Sequence, residues 1–318
     1  MKKWIKYLYY GSDYFMRKYS SFYKYQKKYC QQAYLENEKA CKMLIEILKT
    51  DTPFVLARYG FFELSAMRAF EFGKKKKYDI VLDNIYNCAG FFPKEIKKGQ
   101  EFHNLMLDAT KNLDILVASN QPYENYFISE YVPRNAVVIE NFAILEPWSL
   151  ENPWTEALEG KKVLVVSPFS KSVEEQYQKR EFLFQGTNLL PQFDLQTYQS
   201  LMTVGDLRDE RFGDWFEALE FMKEEILSKD FDVAILGCGA YGFPLAVEIK
   251  KAGKQAIHMG GVFQILFGIM GKRWDGSRFG GIEKMPPSIK KYYNEHWTYP
   301  LEEKPAEACK VEYGPYWG

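Results

Sequence analysis

The feature that most restricts the fold is a regular alternation of short apolar runs with longer stretches of helical periodicity. Runs at 54–58 (FVLAR), 80–82 (IVL), 114–118 (DILVA), 136–139 (AVVI), 162–166 (KVLVV), 232–236 (DVAIL) and 255–258 (QAIH) read as strands. Helical patterns fill 33–49, 62–72, 94–112, 171–184, 214–228 and 243–252. Continuous apolar strands need cover on both faces, and the intervening helices supply it. The pattern therefore predicts an α/β fold with a mainly parallel, Rossmann-like sheet flanked by helices. With 318 residues, 47% of them apolar, the chain can bury one large core, and residues 31–318 are expected to form a single domain. The stretch 141–160, with its two Pro-Trp pairs, interrupts the alternation and reads as a sub-boundary. The lysine run at 74–77 reads as a solvated loop.

Charge narrows the function classes. Lys plus Arg and Asp plus Glu both total 42, so the basic excess of a nucleic-acid binder is missing. Five cysteines, an odd number with no C-x-x-C pair, suit a reducing compartment and argue against a structural zinc. No apolar run approaches the ~20 residues of a membrane span, and the expectation is a cytoplasmic protein. Residues 1–30 stand apart, with eight Lys/Arg against Asp13 alone, interleaved with Trp4, Tyr7, Tyr9, Tyr10 and Phe15. Cations with rings suit contact with the inner face of a membrane; the alternative is a helix packed on the body. The chain-wide aromatic content of 17% fits either a ring-rich core or stacking platforms for sugars and bases.

Three segments fall at strand–helix mouths, where open parallel sheets bind ligands. The first is Gly237-Cys238-Gly239-Ala240-Tyr241-Gly242, a G-x-G-x-x-G pattern between a strand and a helix. A dinucleotide site would place Asp or Glu ~20 residues on, to hold the ribose. Ile257, His258 and Met259 occupy that place instead. A nucleotide diphosphate and a purely structural turn both remain open readings of the loop. The second segment runs from His258 through Gly260, Gly261 and Gln264 to Lys272, Arg273 and Trp274, with a helix expected from Gly260. A cation pair beside a ring suits a diphosphate joined to a flat base. The third holds Arg58, Tyr59, Gly60 and Glu63 after the first strand. Arg58 could meet phosphate while Glu63 acts as a base toward a sugar hydroxyl, with His258 as second candidate. Equally, Glu63 could be an acid placed by the helix dipole. No G-x-S-x-G, P-loop or H-E-x-x-H supports hydrolase-triad or zinc chemistry.

The block RYGFFE at 58–63 resembles the R-[FY]-G-x-x-E motif of bacterial glycosyltransferases with the GT-D fold. The unit ILGCGAYGFPLAVEIKKAGKQAIHMGG is similar to that fold's nucleotide-binding half. GKKVLVVSPF, QYQKR, WFEALEFM, GGVFQILFGIMGKRW, NEHW and the closing YW resemble a group of polysaccharide-cluster proteins, over roughly 54–317. The resemblance implies transfer of a sugar from a UDP-linked donor to a growing surface glycan or lipid-linked oligosaccharide, and direct displacement with inversion is the expected course. GT-D enzymes hold a divalent metal (Mn or Mg) with D-x-E. Here Phe61 stands at the Asp position and only Glu63 matches, so no obligatory metal is expected. The rival readings are an NAD-type oxidoreductase or epimerase on nucleotide sugars, and a non-catalytic nucleotide-binding partner in glycan assembly.

Overall fold

In the computed structural model, residues 2–19, 33–139, 142–277, 280–311 and 314–318 are described. Seven parallel strands form one sheet: β2 (Phe54–Ala57), β3 (Ile115–Val117), β4 (Val137–Ile139), β5 (Lys162–Ser167), β6 (Asp194–Gln199), β7 (Val233–Leu236) and β8 (Gln255–His258). A two-residue strand, β1 (Ala33–Tyr34), extends the edge, giving the order β1-β4-β3-β2-β8-β7-β5-β6. The helices are α1 (Lys3–Tyr19), α2 (Asn37–Leu48), α3 (Phe61–Glu71), α4 (Tyr78–Ala89), α5 (Ile96–Thr110), α6 (Glu124–Tyr131), α7 (Ser170–Tyr177), α8 (Trp215–Leu227) and α9 (Gly242–Lys251), besides shorter turns.

Successive strand residues point to opposite faces, and the core divides accordingly. Val55, Ala57, Leu164, Val166, Ala234 and Leu236 face one layer with α3, α4, α5, α6, α8 and α9. Phe54, Leu56, Val163, Val165, Val233, Ile235 and Ile257 face the other, with α2, α7 and the Trp148 and Trp154 rings. The two-faced parallel sheet is thus the one expected from the sequence.

Several elements differ from the reading of the sequence. Residues 80–82 lie inside α4, because Tyr78, Val81, Leu82, Ile85 and Ala89 bury one helical face. Strand β6 escapes the apolar pattern: at the sheet edge, DLQTYQ has only β5 as neighbour and stays half-exposed. The helix expected from Gly260 is reduced to two short turns, Gly260–Val262 and Phe263–Leu266, ended by Gly268 at φ +62°. The 171–184 pattern breaks into α7 and a turn at Arg180–Leu183. Within 141–160, the described part consists of 3-10 turns at Phe142–Leu145, Pro147–Ser149 and Trp154–Leu158.

Of the basic segment 1–30, α1 is described and 20–30 lie outside the described residues. Helix α1 lies on the body: Tyr7 stacks on Tyr123 at 4.8 Å, and the Tyr10 hydroxyl donates to Ser129 Oγ at 2.8 Å. Among the described residues, no helix is long and apolar enough to cross a membrane.

Candidate functional site

The chain leaves β5 through α7 on one face of the sheet and leaves neighbouring β7 through α9 on the other. Diverging connections open a crevice at the carboxyl ends of the strands. A cavity of about 270 Å³ lies there. It is lined by the residues that end or follow five adjacent strands: Arg58 after β2, His258 ending β8, Gly237 after β7, Phe169 after β5 and Ser200 after β6.

Local packing explains the glycines around it. Gly239 and Gly260 hold φ values of +58° and +67°, which a side chain would strain. At Gly237 a Cβ would collide with the Phe263 ring, and at Gly60 with the Glu63 carboxylate. The Glu63 carboxyl thus folds over the backbone at the first turn of α3, where the helix dipole favours a negative charge.

The electrostatics are lopsided. Arg58, Arg273 and Glu63 line the cavity, and Glu63 is the only carboxylate among the described lining residues. The Arg58 guanidinium lies 5.4 Å from the Phe142 ring centroid, and its buried Nε has no hydrogen-bond partner. His258 Nδ1 and Ser200 Oγ are likewise buried without partners. Each such group costs about 1–3 kcal/mol relative to a satisfied one. Burial, with help from the nearby Arg58 charge, lowers the His258 imidazole to about 3. His258 is therefore neutral at physiological pH. Behind Arg58, the buried Glu124 carboxyl accepts from the backbone N–H of Ser119 and Gln121 at 3.0 and 2.9 Å. Burial nonetheless pushes it up to about 7.

Of the residues singled out in the sequence, Arg58, Gly60, Glu63, Gly237, Gly239, Tyr241, His258, Gly260, Gly261 and Arg273 meet in this cavity. Six do not line it. Tyr59 is buried, with its hydroxyl 2.9 Å from Thr110 Oγ1. Ala240 and Trp274 are core residues, and Gly242 gives room to the His258 ring. Gln264 is buried and donates to the Tyr316 carbonyl at 3.2 Å. Lys272 joins the closing segment, its backbone N–H donating to the Trp317 carbonyl at 3.1 Å.

Sequence reasoning missed two walls. One is Ser200–Val204, where Thr203 Oγ1 donates to the Gly90 carbonyl at 2.6 Å and lies 2.8 Å from the Tyr241 hydroxyl. The other is Tyr316-Trp317: Trp317 packs edge-on against Phe169 at 4.9 Å, and Arg273 Nη1 donates to the Tyr316 hydroxyl at 3.4 Å. The closing YW block was the available signal for the second wall. The first wall carries no motif.

The donor set does not fit a two-carboxylate divalent site. Phe61 lines the cavity as an exposed ring, and Glu63 has no second acid beside it among the described lining residues. Among the described residues, no group of three or more His, Cys, Asp or Glu side chains could hold a metal.

The fold is a Rossmann-like parallel α/β architecture with a crevice at its strand carboxyl ends. No family model matches the chain, and no curated protein or solved structure matches it significantly.

Proposed function

We propose that this chain is a glycosyltransferase that takes a UDP-linked sugar donor and passes the sugar to a hydroxyl of a surface-glycan acceptor with inversion. The observation that carries the reading is the cavity's composition: two arginines, a single carboxylate and two glycine-rich strand ends converge there. Two guanidiniums would neutralise a diphosphate as it leaves, in a fork geometry suited to phosphate oxygens. The backbone at Gly237–Gly239 and Gly260–Gly261 would approach the same group closely. Glu63 would take the proton of the attacking hydroxyl as the C–O bond to the anomeric carbon forms and the bond to the diphosphate breaks. His258, held neutral, suits a hydrogen bond to the donor better than proton abstraction. The likeness of 58–63 and 235–261 to GT-D glycosyltransferases supports this reading.

The rival nucleotide-binding reading shares the cavity but not the chemistry, so turnover separates them. Purified protein incubated with UDP-, GDP- and CMP-sugars should release free UDP from a UDP-sugar. Binding of UDP without release from any donor would favour a non-catalytic partner. Binding of NAD in place of UDP would favour an oxidoreductase.

A further inference from the structure

Among the described residues, the contacts of helix α1 with the body lie along one side. Tyr7 and Tyr10 point inward, and Lys3 Nζ donates to the Glu71 carbonyl at 3.0 Å. Lys6 pairs with Glu130 and Asp13 with Asn125. These contacts fix the rotation of the helix. The opposite side then presents Trp4 and Leu8 along one line, with Ile5, Met16 and Tyr9 beside them, over an arc of about 140°. Trp4, Leu8, Tyr9, Phe15 and Met16 are all large and exposed. Ser12, the one polar side chain in the arc, bonds inward to the Tyr9 carbonyl at 2.8 Å.

The fold also brings a second feature to this helix that the sequence leaves far away. Lys74 Nζ sits 3.9 Å over the Tyr7 ring, so the lysine run 74–77 flanks α1. Its turn Lys75–Lys77 has no buried residue. Lys2 and Lys3 are exposed as well. An apolar arc carrying Trp and Tyr, bordered by cations, matches a lipid interface in both chemistry and charge. A second copy of the chain would bring these lysines toward one another unless it met the arc with an acidic surface, whereas an anionic bilayer offers counter-charges to Lys2 and to the exposed turn Lys75–Lys77.

We propose that the outer face of α1 and the 74–77 lysine turn form one interfacial anchor for an anionic lipid surface. The proposal rests on exposure and charge, not on glycosyl transfer, and stands if the chain proves to have no transferase activity.

The test uses a spectroscopic accident. Trp4 is 62% exposed, and each of the other six tryptophans is at most 8% exposed. Quenching by lipids brominated in their acyl chains therefore reads α1. The full chain is mixed with phosphatidylcholine vesicles with and without phosphatidylglycerol. The expected result is sedimentation with the anionic vesicles, release at high salt, and a blue-shifted, quenched Trp4. The triple variant Lys75→Ala/Lys76→Ala/Lys77→Ala, and separately Leu8→Glu, should each bind about tenfold or more weakly. Both change exposed side chains, and an unchanged far-ultraviolet spectrum checks that the fold is kept. Absence of binding to anionic vesicles overturns the proposal. So does binding without Trp4 quenching, which would put the contact elsewhere. A concentration-dependent dimer abolished by Leu8→Glu, without vesicle binding, would assign the face to a second copy.

Discussion

At the scale of single residues, the site turns on what surrounds each charge. Arg58 presents a buried Nε without a partner, and Arg273 is steadied by Tyr316. Arg58→Ala and Arg273→Ala should each weaken UDP binding about tenfold or more by calorimetry, because charge-assisted contacts to phosphate are lost. An unchanged affinity would return that arginine to a packing role. Glu63→Gln should lower turnover by ~10²–10⁴ while leaving UDP affinity nearly intact, as befits loss of a general base. Near-normal turnover would leave Glu63 as a helix-dipole acid. His258 gives a prediction about stability. Its folded value of about 3 lies below the ordinary 6.5, so the unfolded chain binds more protons in between. Its contribution is complete above the unfolded value and is lost as pH falls toward 3. Urea unfolding at pH 7 and pH 5 should show wild type losing more stability on acidification than His258→Gln. The comparison between the two proteins isolates His258 from Glu124, which burial pushes up to about 7 and which acts in the opposite sense over that range.

Among the elements, helix α8 carries the cleanest local test. Asp214 caps it by accepting from Phe216 and Glu217 N–H at 2.9 and 3.0 Å, and it pairs with Lys98 at 2.6 Å. Asp214→Ala should cost about 0.5–2 kcal/mol in chemical denaturation, with UDP affinity unchanged. A loss of affinity as large as that of Arg58→Ala would mean that the cavity depends on α8. The elements also show what a sequence can disclose. Six strands were legible because each is a continuous apolar run buried on both faces. Strand β6 was not, since an edge position permits the polar residues of DLQTYQ. The run at 80–82 misled because three apolar residues fit either period, and only Tyr78, Ile85 and Ala89 around them decide for a helix. The site followed the same logic. Glycine loops and cations at strand ends were readable, because chain direction puts every parallel-strand carboxyl end on one side. Thr203 was not, since it reaches the cavity through tertiary packing with no motif around it, and the closing Tyr316-Trp317 pair carried a resemblance but nothing that placed it against the cavity.

Across the whole molecule, a parallel sheet with diverging connections opens a crevice whose described lining holds two guanidiniums and a single carboxylate. Ligand linkage offers a first check. UDP at a hundred times its dissociation constant should stabilise the fold by roughly 2.7 kcal/mol. The described lining residues hold no carboxylate pair, so the shift should persist in EDTA; disappearance of the shift in EDTA would bring a metal back into the site. The most direct measurement of the central claim is the release of free UDP from a panel of UDP-linked sugars, by the purified full-length chain in EDTA. The account predicts that at least one donor is turned over and that Glu63→Gln suppresses its release. If no donor yields UDP while the nucleotide still binds, the claim of glycosyl transfer is contradicted and the crevice is a nucleotide-binding site without that chemistry.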